Sequence, residues 1–266
     1  MRRRPLQLTH PALLATALLG CGCAAPAIAD IDITSTGESQ VTVTASGIHE
    51  LSGITFLGGD QYLLVSDNGG LLVRATIEID LSTGQFIGSP ILDSTLDLFP
   101  AGGADLEGIA YDPRDASILV SNEDDHSITR FDPVTGTLLG SVPVPAVYQN
   151  AANNRSLESL SLDTVGYNLW TANEEALTVD GPLSSTSAGS VVRLQHFDAQ
   201  GDADAQFAYL TDPHRNSGLS EARSGVADLV ALPNGQVIVM ERELGGSFPT
   251  FRNRFYLVDT TTATDT

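Results

Sequence analysis

The most constraining feature of the sequence is a stretch of about 40 residues, 105–144, that is divided into four short apolar runs. The runs occupy residues 109–111, 118–120, 128–131 and 138–142. Between them lie turn sequences such as Asp-Pro and Thr-Gly, in which proline sets φ and glycine accepts positive φ. Short β-prone runs separated by turns every 8–12 residues predict a four-stranded antiparallel meander.

Landmarks of this stretch recur in the same order along the chain. The start of its first run, DLEGI at 105–109, is echoed by ELSGI at 50–54, SLESL at 156–160 and, more weakly, GVADL at 225–229. Aspartates that end the third run lie at 80, 132, 198 and 259, so the copies are 52, 66 and 61 residues apart. A four-stranded unit repeated at this period predicts an all-β fold, a β-propeller with about four blades. A β-sandwich would not repeat these landmarks in one order.

The N-terminal residues have the pattern of an export signal. Met1 and three arginines precede an apolar run at 11–20, and Ala27, Ile28 and Ala29 fit a cleavage site. The run is far shorter than the ~20 residues of a membrane-spanning helix. We therefore predict a signal peptide at 1–29 and a secreted or periplasmic propeller domain at 30–266. Alternatively, the four residues that end at Cys21 resemble a lipobox, which would anchor the protein to a membrane through a lipid on Cys21.

The C-terminal end of the sequence falls within or just after the third strand of the fourth blade. A propeller needs its last blade completed, often by a strand from the N-terminus, because open sheet edges invite aggregation. Residues 40–45 could supply that strand. The other interpretation, which we favour at this stage, is that the chain is C-terminally incomplete.

Charge narrows the possible partners. The chain carries a formal net charge of −20, and removal of the three leader arginines would make it −23. All thirteen basic residues are arginine. Such a surface repels nucleic acid and anionic lipid, so we expect the protein to bind neither. The sequence has no second long apolar stretch, so we predict no transmembrane segment, and we expect a monomer. Both cysteines, Cys21 and Cys23, lie in the leader, so the predicted mature domain has no cysteine to bind a metal. Its clustered carboxylates favour Ca²⁺ as the cofactor.

Propeller geometry predicts where the acidic residues meet. The start of a blade's first strand and the end of its second strand lie at the same rim. Glu107 and Glu123 occupy these two positions in blade two, and Glu158 and Glu174 occupy them in blade three. Asp67 and Glu241 are expected at the second-strand position of blades one and four, whereas Asp228 comes one residue late in its first strand. A partial carboxylate ring should either raise its own pKa values or hold a cation. Alternatively, each glutamate caps loop amides of the next blade. The candidate metal ligands are Asp67, Glu107, Glu123, Glu158, Glu174, Asp228 and Glu241.

These same segments carry a family resemblance. NRSLESL at 154–160, WTANEEAL at 170–177 and GSVVR at 189–193 resemble the exported phytase-like domain described as "esterase-like activity of phytase". The resemblance extends over about residues 48–266. It implies a Ca²⁺-assisted hydrolase of a small phosphoester or ester, in which the cation neutralises and polarises phosphoryl oxygens. Glu158, Arg155 and Glu174 would then be catalytic, and Arg155 and Arg242 would bind the substrate phosphate.

Two other functions stay open. A propeller without catalytic activity could bind a ligand or a protein of the cell envelope at the same rim. A lactonase-like hydrolase would hold one Ca²⁺ through Glu158 and Asn173. The sequence lacks the G-x-S-x-G motif of α/β-hydrolases and the H-E-x-x-H motif of zinc proteases, which disfavours both classes.

Overall fold

The computed structural model describes residues 1–6, 8–9, 33–34, 40–67, 69–99, 104–152, 154–216, 219–220, 222–246, 250–261 and 263–265. In these residues the fold is almost entirely β, with one 3₁₀ helix at Ala146–Asn150. Four short strands precede the blades: β1 (Arg2–Leu6), β2 (Leu8–Thr9), β3 (Ile33–Thr34) and β4 (Thr42–Val43). The prediction of an all-β propeller is confirmed, because the remaining strands, together with β1, form four blades.

Each blade is a meander that runs outward from the channel. Blade one contains β5 (Leu51–Gly58), β6 (Gln61–Ser66), β7 (Leu71–Thr76) and β10 (Ile91–Asp97), with a side hairpin of β8 (Ile79–Asp80) and β9 (Gln85–Phe86). Blade two contains β11 (Leu106–Asp112), β12 (Ser117–Asn122), β13 (Ser127–Phe131) and β14 (Leu138–Val142). Blade three contains β15 (Leu157–Leu162), β16 (Leu169–Asn173), β17 (Val191–Phe197) and β18 (Ala203–Leu210). Blade four contains β19 (Arg223–Ala231), β20 (Val237–Gly245), β21 (Thr250–Asp259) and β1.

Apolar clusters join neighbouring blades. Leu63 of blade one packs with Ile118 of blade two, and Leu119 of blade two packs with Leu157 of blade three. A third cluster joins blade three to blade four. Since burial of one such side chain stabilises a fold by about 1.5–3 kcal/mol, these clusters hold adjacent blades in a fixed relation.

Glycines let the innermost strands approach closely. A Cβ atom on Gly53 would overlap the carbonyl oxygen of Glu107, and one on Gly108 would lie 2.5 Å from the backbone nitrogen of Leu160. This contact between backbones sets the spacing of β5, β11 and β15. The first-strand acids of successive blades are thereby brought near one another.

The outer strand of the fourth blade comes from the N-terminal residues. Arg2–Leu6 pairs antiparallel with β21, from Arg2 opposite Asp259 to Leu6 opposite Phe255. Thr42–Val43 pairs instead in parallel with β10, at the outer edge of blade one. Residues 40–45, which the sequence offers as a possible source of that strand, therefore do not supply it.

Most of the predicted leader lies outside the described residues, including its apolar run, Cys21, Cys23 and the cleavage site. The signal peptide at 1–29 and the lipid anchor stay predictions. Within the described part of the chain, no helix is long and apolar enough to cross a bilayer.

Candidate functional site

The four innermost strands line a common channel. A cavity of about 150 Å³ is bordered by Ser52 of β5, Gly108 of β11, Glu158 of β15 and Asp228 of β19. It leads towards a pocket of about 220 Å³ at one rim. The residues lining this pocket are mostly charged: Glu50, Leu51, Ser52, Asp67, Glu107, Asn154, Glu158, Glu174, Arg223 and Arg242.

Backbone pairing explains why acids collect at this rim. The amide of Glu123 donates to the carbonyl oxygen of Asp105 at 2.9 Å, and the amide of Glu174 donates to that of Ser156 at 2.7 Å. Each second-strand acid is thus fixed beside the start of its own first strand. Blade one has the same arrangement, because the amide of Asp67 donates to the carbonyl oxygen of Glu50 at 2.9 Å.

Three glutamates converge within this rim. Single carboxylate oxygens of Glu107, Glu123 and Glu158 all lie within 4.8 Å of one another. Asp67, Asp105 and Glu107 form a second group within the same distance, so Glu107 belongs to both. The structure thus brings together three of the predicted metal ligands, Glu107, Glu123 and Glu158. Sequence reasoning missed Asp105, although it begins the DLEGI landmark.

The hydrogen bonds of this cluster leave one oxygen without a donor. The Ser52 hydroxyl donates to Glu107, and the Ser156 amide of blade three donates to Glu123 Oε1. Among the described residues, Glu123 Oε2 has no hydrogen-bond partner, although the side chain is only 2% exposed. A buried carboxylate oxygen that lacks a donor is costly, and a bound cation removes that cost.

Burial changes the protonation of the cluster. Desolvation raises the pKa of Glu107 to about 8, with further increases from Glu123 and Asp105, although the Ser52 hydrogen bond opposes the shift. Desolvation likewise raises the pKa of Glu123 to about 7. The pKa of Glu158 lies well above its usual value because of burial first and the charges of Glu174 and Glu107 second. Burial and mutual repulsion therefore favour the protonated forms of these groups, and a bound cation would favour their charged forms instead.

Two arginines balance part of this charge. Arg242 Nη2 lies 3.0 Å from Glu158 Oε1 and 3.7 Å from Glu174 Oε1. Arg223 Nε lies 3.5 Å from Glu175 Oε1 and 3.9 Å from Glu174 Oε1. Both arginines line the 220 Å³ pocket and are partly exposed, so they can also reach an anion in it. Arg223 was missed by sequence reasoning, because nothing near it repeats in the other blades.

A family profile identifies the fold independently of this geometry. The profile described as "Phytase-like: Esterase-like activity of phytase" matches residues 46–266. The chain belongs to the phytase-like family. The match includes all four inner strands and the acids and arginines of the rim. It confirms the resemblance carried by the segments at 154–160, 170–177 and 189–193.

Solved structures similar to this phytase-like chain are distant in sequence. Kuenenia stuttgartiensis hydrazine synthase is 13% identical with a TM-score of 0.42, over 82% of this chain and 66% of that chain. The Dos1 propeller is 12% identical with a TM-score of 0.36, over 73% and 44%. A chain of a nidogen/laminin complex is 13% identical with a TM-score of 0.35, over 70% and 59%. The phytase-like chain thus spans less than two thirds of the length of each of these chains. No curated protein matches it.

The register of blade four corrects one predicted equivalence. Glu241 pairs with Val226 and Arg242 with Gly225, next to a β-bulge between Val226 and Asp228. Arg242 therefore occupies the second-strand position that Asp67, Glu123 and Glu174 occupy in the other blades. Glu241, predicted at that position, is displaced by one residue, and a shift of one residue reverses the face of a strand. Its carboxylate accepts hydrogen bonds from the Tyr209 hydroxyl and the Asp212 amide instead.

The other predicted residues lie in or beside the phytase-like rim. Asp228 lines the channel cavity, where burial raises its pKa to about 6. Arg155, predicted to bind phosphate, forms an ion pair with the buried Glu175. Asn173, the lactonase-type partner for Glu158, accepts from the amide of Arg193 and donates to the Glu175 carbonyl oxygen. Its amide group is therefore already engaged away from Glu158.

Proposed function

We propose that this phytase-like propeller is an exported hydrolase of small phosphoesters or esters that uses Ca²⁺ at the rim pocket. One observation carries the proposal: three buried glutamates converge, one of their oxygens lacks a donor, and arginines stand beside them. Family membership agrees with a hydrolase of this kind. A secreted or periplasmic location agrees with the predicted signal peptide and with the abundance of calcium outside cells.

The donor set suits calcium. Ca²⁺ prefers hard oxygen ligands, and carboxylates supply its charge neutralisation. Glu107, Glu123 and Glu158 would hold it, with Asp67 and Asp105 close to Glu107. The ion would neutralise and polarise the oxygens of a bound phosphoryl or acyl group.

The arginines would bind and orient the substrate. A guanidinium group presents parallel donors that match the oxygens of a phosphate or carboxylate. Arg242 is 40% exposed and Arg223 is 33% exposed, so each retains donors that face the pocket while its carboxylate partner fixes its position. We assign Arg155 a positioning part, because it holds Glu175, which in turn faces Arg223.

Glu174 would act as the general acid that gives a proton to the leaving oxygen when the ester bond is cleaved. Desolvation raises its pKa, and the neighbouring Glu175 charge adds to the increase, whereas Arg223 and Arg242 oppose it. A carboxyl group with a raised pKa can keep a proton near neutral pH and donate it to the leaving oxygen. Glu158 would take part in catalysis through the ion that it helps to hold, and Arg242 balances part of its charge.

Turnover tests this proposal. The full chain is assayed with p-nitrophenyl phosphate, phytate and p-nitrophenyl acetate, in Ca²⁺ and in EGTA. We expect Ca²⁺-dependent hydrolysis of at least one substrate, and loss of about 10²-fold or more of kcat in Glu158→Gln. Circular dichroism checks that the variant is folded. Absence of turnover of all three substrates in Ca²⁺ rejects the proposed hydrolase.

A binding module is the second candidate, and a specific observation favours it. Glu123 of blade two accepts the Ser156 amide of blade three, and Glu107 of blade two accepts the Ser52 hydroxyl of blade one. Both bonds link blades, and the bond to Glu123 is of the kind that the capping alternative expects, in which a glutamate accepts an amide of the next blade. A calcium-dependent rise in melting temperature without turnover would support this candidate.

A further inference from the structure

A second built site lies in blade four, away from the rim pocket. The side chain of Arg3, from the edge strand β1, lies between the rings of Tyr209 and Tyr256, with its Cζ 5.2 Å and 4.6 Å from the two ring centres. Its Nη1 donates to Glu241 Oε1 at 2.7 Å, and its Nη2 donates to Asp212 Oδ1 at 2.6 Å. We call Tyr209, Asp212, Glu241 and Tyr256 the arginine cage.

The arginine cage is organised by its own hydrogen bonds. Tyr209 donates its hydroxyl hydrogen to Glu241 Oε1 at 2.7 Å, and Tyr256 donates to Asp212 Oδ2 at 2.5 Å. The Asp212 amide donates to Glu241 Oε2 at 2.9 Å. Two carboxylates and two aromatic faces are thus oriented towards one position. Planar guanidinium groups fit such a position because they accept ring faces and form parallel hydrogen bonds to carboxylates.

Burial favours a cationic occupant of this cage. The Glu241 side chain is 0% exposed, so its charge is shielded from water. Arg254 also approaches it, but Nη1 of Arg254 stays 3.8 Å from Glu241 Oε2. Arg3 therefore makes the close ion pair with Glu241 among the described residues. A buried carboxylate whose cationic partner is removed is strongly destabilised.

The same residue belongs to the predicted export signal. Strand β1 forms five registered pairs with β21 and is the outermost strand of its sheet. Cleavage after Ala29 would cut the covalent link between Arg2–Leu6 and the domain. Strand β1 could then dissociate and expose the edge of β21 and the arginine cage. A cleft of about 760 Å³ beside Arg3 and Tyr256 gives an incoming strand access.

We propose that the edge of β21 together with the arginine cage is a binding site for an extended peptide bearing arginine, and that residues 2–6 occupy it until the leader is removed. The peptide would add to the sheet through main-chain hydrogen bonds, and the arginine would set its register. The strongly acidic surface of the domain favours basic segments of partner proteins. This inference concerns blade four and is independent of hydrolysis at the rim.

The experiment begins with the folded full chain, into which a specific protease site is introduced between Ala29 and Asp30. After cleavage, a fluorescein-labelled peptide with the sequence of residues 1–9 is added at physiological salt, and binding is followed by anisotropy. We expect saturable binding. The Arg3→Gln peptide should bind about tenfold or more weakly, because it loses charge-assisted hydrogen bonds. Arg2→Gln is the matched control, because Arg2 is exposed and should change the dissociation constant by about twofold at most.

Protein variants provide the reciprocal test. Asp212→Asn should weaken binding of the peptide, whereas Asp259→Asn, opposite Arg2 on the same strand pair, should not. Equal losses for the two peptide variants would mean that only general charge attraction operates, and would overturn the proposal. Absence of binding, or precipitation of the cut protein whether or not peptide is present, would overturn it too. In the uncut chain, Arg3→Gln should lower the melting temperature by several degrees more than Arg2→Gln, and equal values would count against the cage.

Discussion

Arg242 of blade four lies 3.0 Å from Glu158 of blade three, so one ion pair joins neighbouring blades at the rim of the channel. Arg242 stands where the other blades carry Asp67, Glu123 and Glu174. The ring of acids is therefore interrupted by one cation on the side nearest Glu158. Under the proposed function, this asymmetry would give the pocket separate places for a cation, among the carboxylates, and for an anion, beside the arginine.

Replacement of Arg242 by Gln should weaken anion binding without abolishing calcium binding. The variant loses the guanidinium that faces the pocket, so the inhibition constant of inorganic phosphate should rise about tenfold. Calcium affinity should stay the same or increase, because a competing positive charge is removed. Enzyme assays with phosphate as competitor and calcium titration by calorimetry measure the two effects. Arg252→Gln, an exposed arginine of β21, is the control. Loss of calcium binding in Arg242→Gln alone would contradict this division of roles.

Glu123→Gln should remove most of the stabilisation by calcium. The wild-type oxygen without a donor is the one that a cation would satisfy, and an amide supplies neither its charge nor its second acceptor. At calcium concentrations about 100 times the dissociation constant, the wild type should gain about 2.7 kcal/mol, or several degrees in melting temperature. Calcium should raise the melting temperature of the variant only slightly. Glu78→Gln, at an exposed position, should respond like the wild type. Differential scanning fluorimetry with and without Ca²⁺ decides the matter.

Without calcium, stability should fall as the pH rises from about 5 to about 8. The folded pKa values of Glu107, about 8, and Glu123, about 7, both exceed the usual value of 4.5. In that window the folded protein binds more protons than the unfolded chain, so the free energy of unfolding decreases with increasing pH. Melting temperatures in EGTA should drop by roughly 5–10 °C across the window. Glu107→Gln should flatten the profile, and Ca²⁺ should restore stability at pH 8. A melting temperature that rises over this range would disprove the assignment.

Features that depend on local sequence pattern, such as the strand bounds of blade two, could be predicted from the sequence. Blade two begins and ends its strands close to the predicted runs, and its last strand, Leu138–Val142, has the predicted bounds. The convergence of Glu107, Glu123 and Glu158 followed because strand order alone fixes which strand ends meet at a rim.

What could not be predicted depends on register and on long-range pairing. Pairing of Val226 with Glu241 and of Gly225 with Arg242 decides that Arg242, rather than Glu241, joins the second-strand position, and GVADL does not reveal that register. Similarly, pairing of Arg2–Leu6 with β21 joins opposite ends of the chain, where no repeat marks the partner. Arg155 and Arg223 both pair with Glu175, and only Arg223 also approaches Glu174, a difference that the sequence does not reveal.

Gly108→Ala should force the inner strands β11 and β15 apart and so disturb the glutamates at the rim. An added Cβ would lie 2.5 Å from the backbone nitrogen of Leu160 and 2.7 Å from its Cβ, so β11 and β15 must move apart. Overpacking of this kind costs about 1–3 kcal/mol, which urea unfolding can measure. Because Glu107 precedes Gly108 and Glu158 lies on the displaced strand, calcium affinity should fall as well. Gly140→Ala is the matched control, since its Cβ would meet nothing within 4 Å. If Gly108→Ala bound calcium as tightly as Gly140→Ala, close approach of the inner strands would not be what assembles the site.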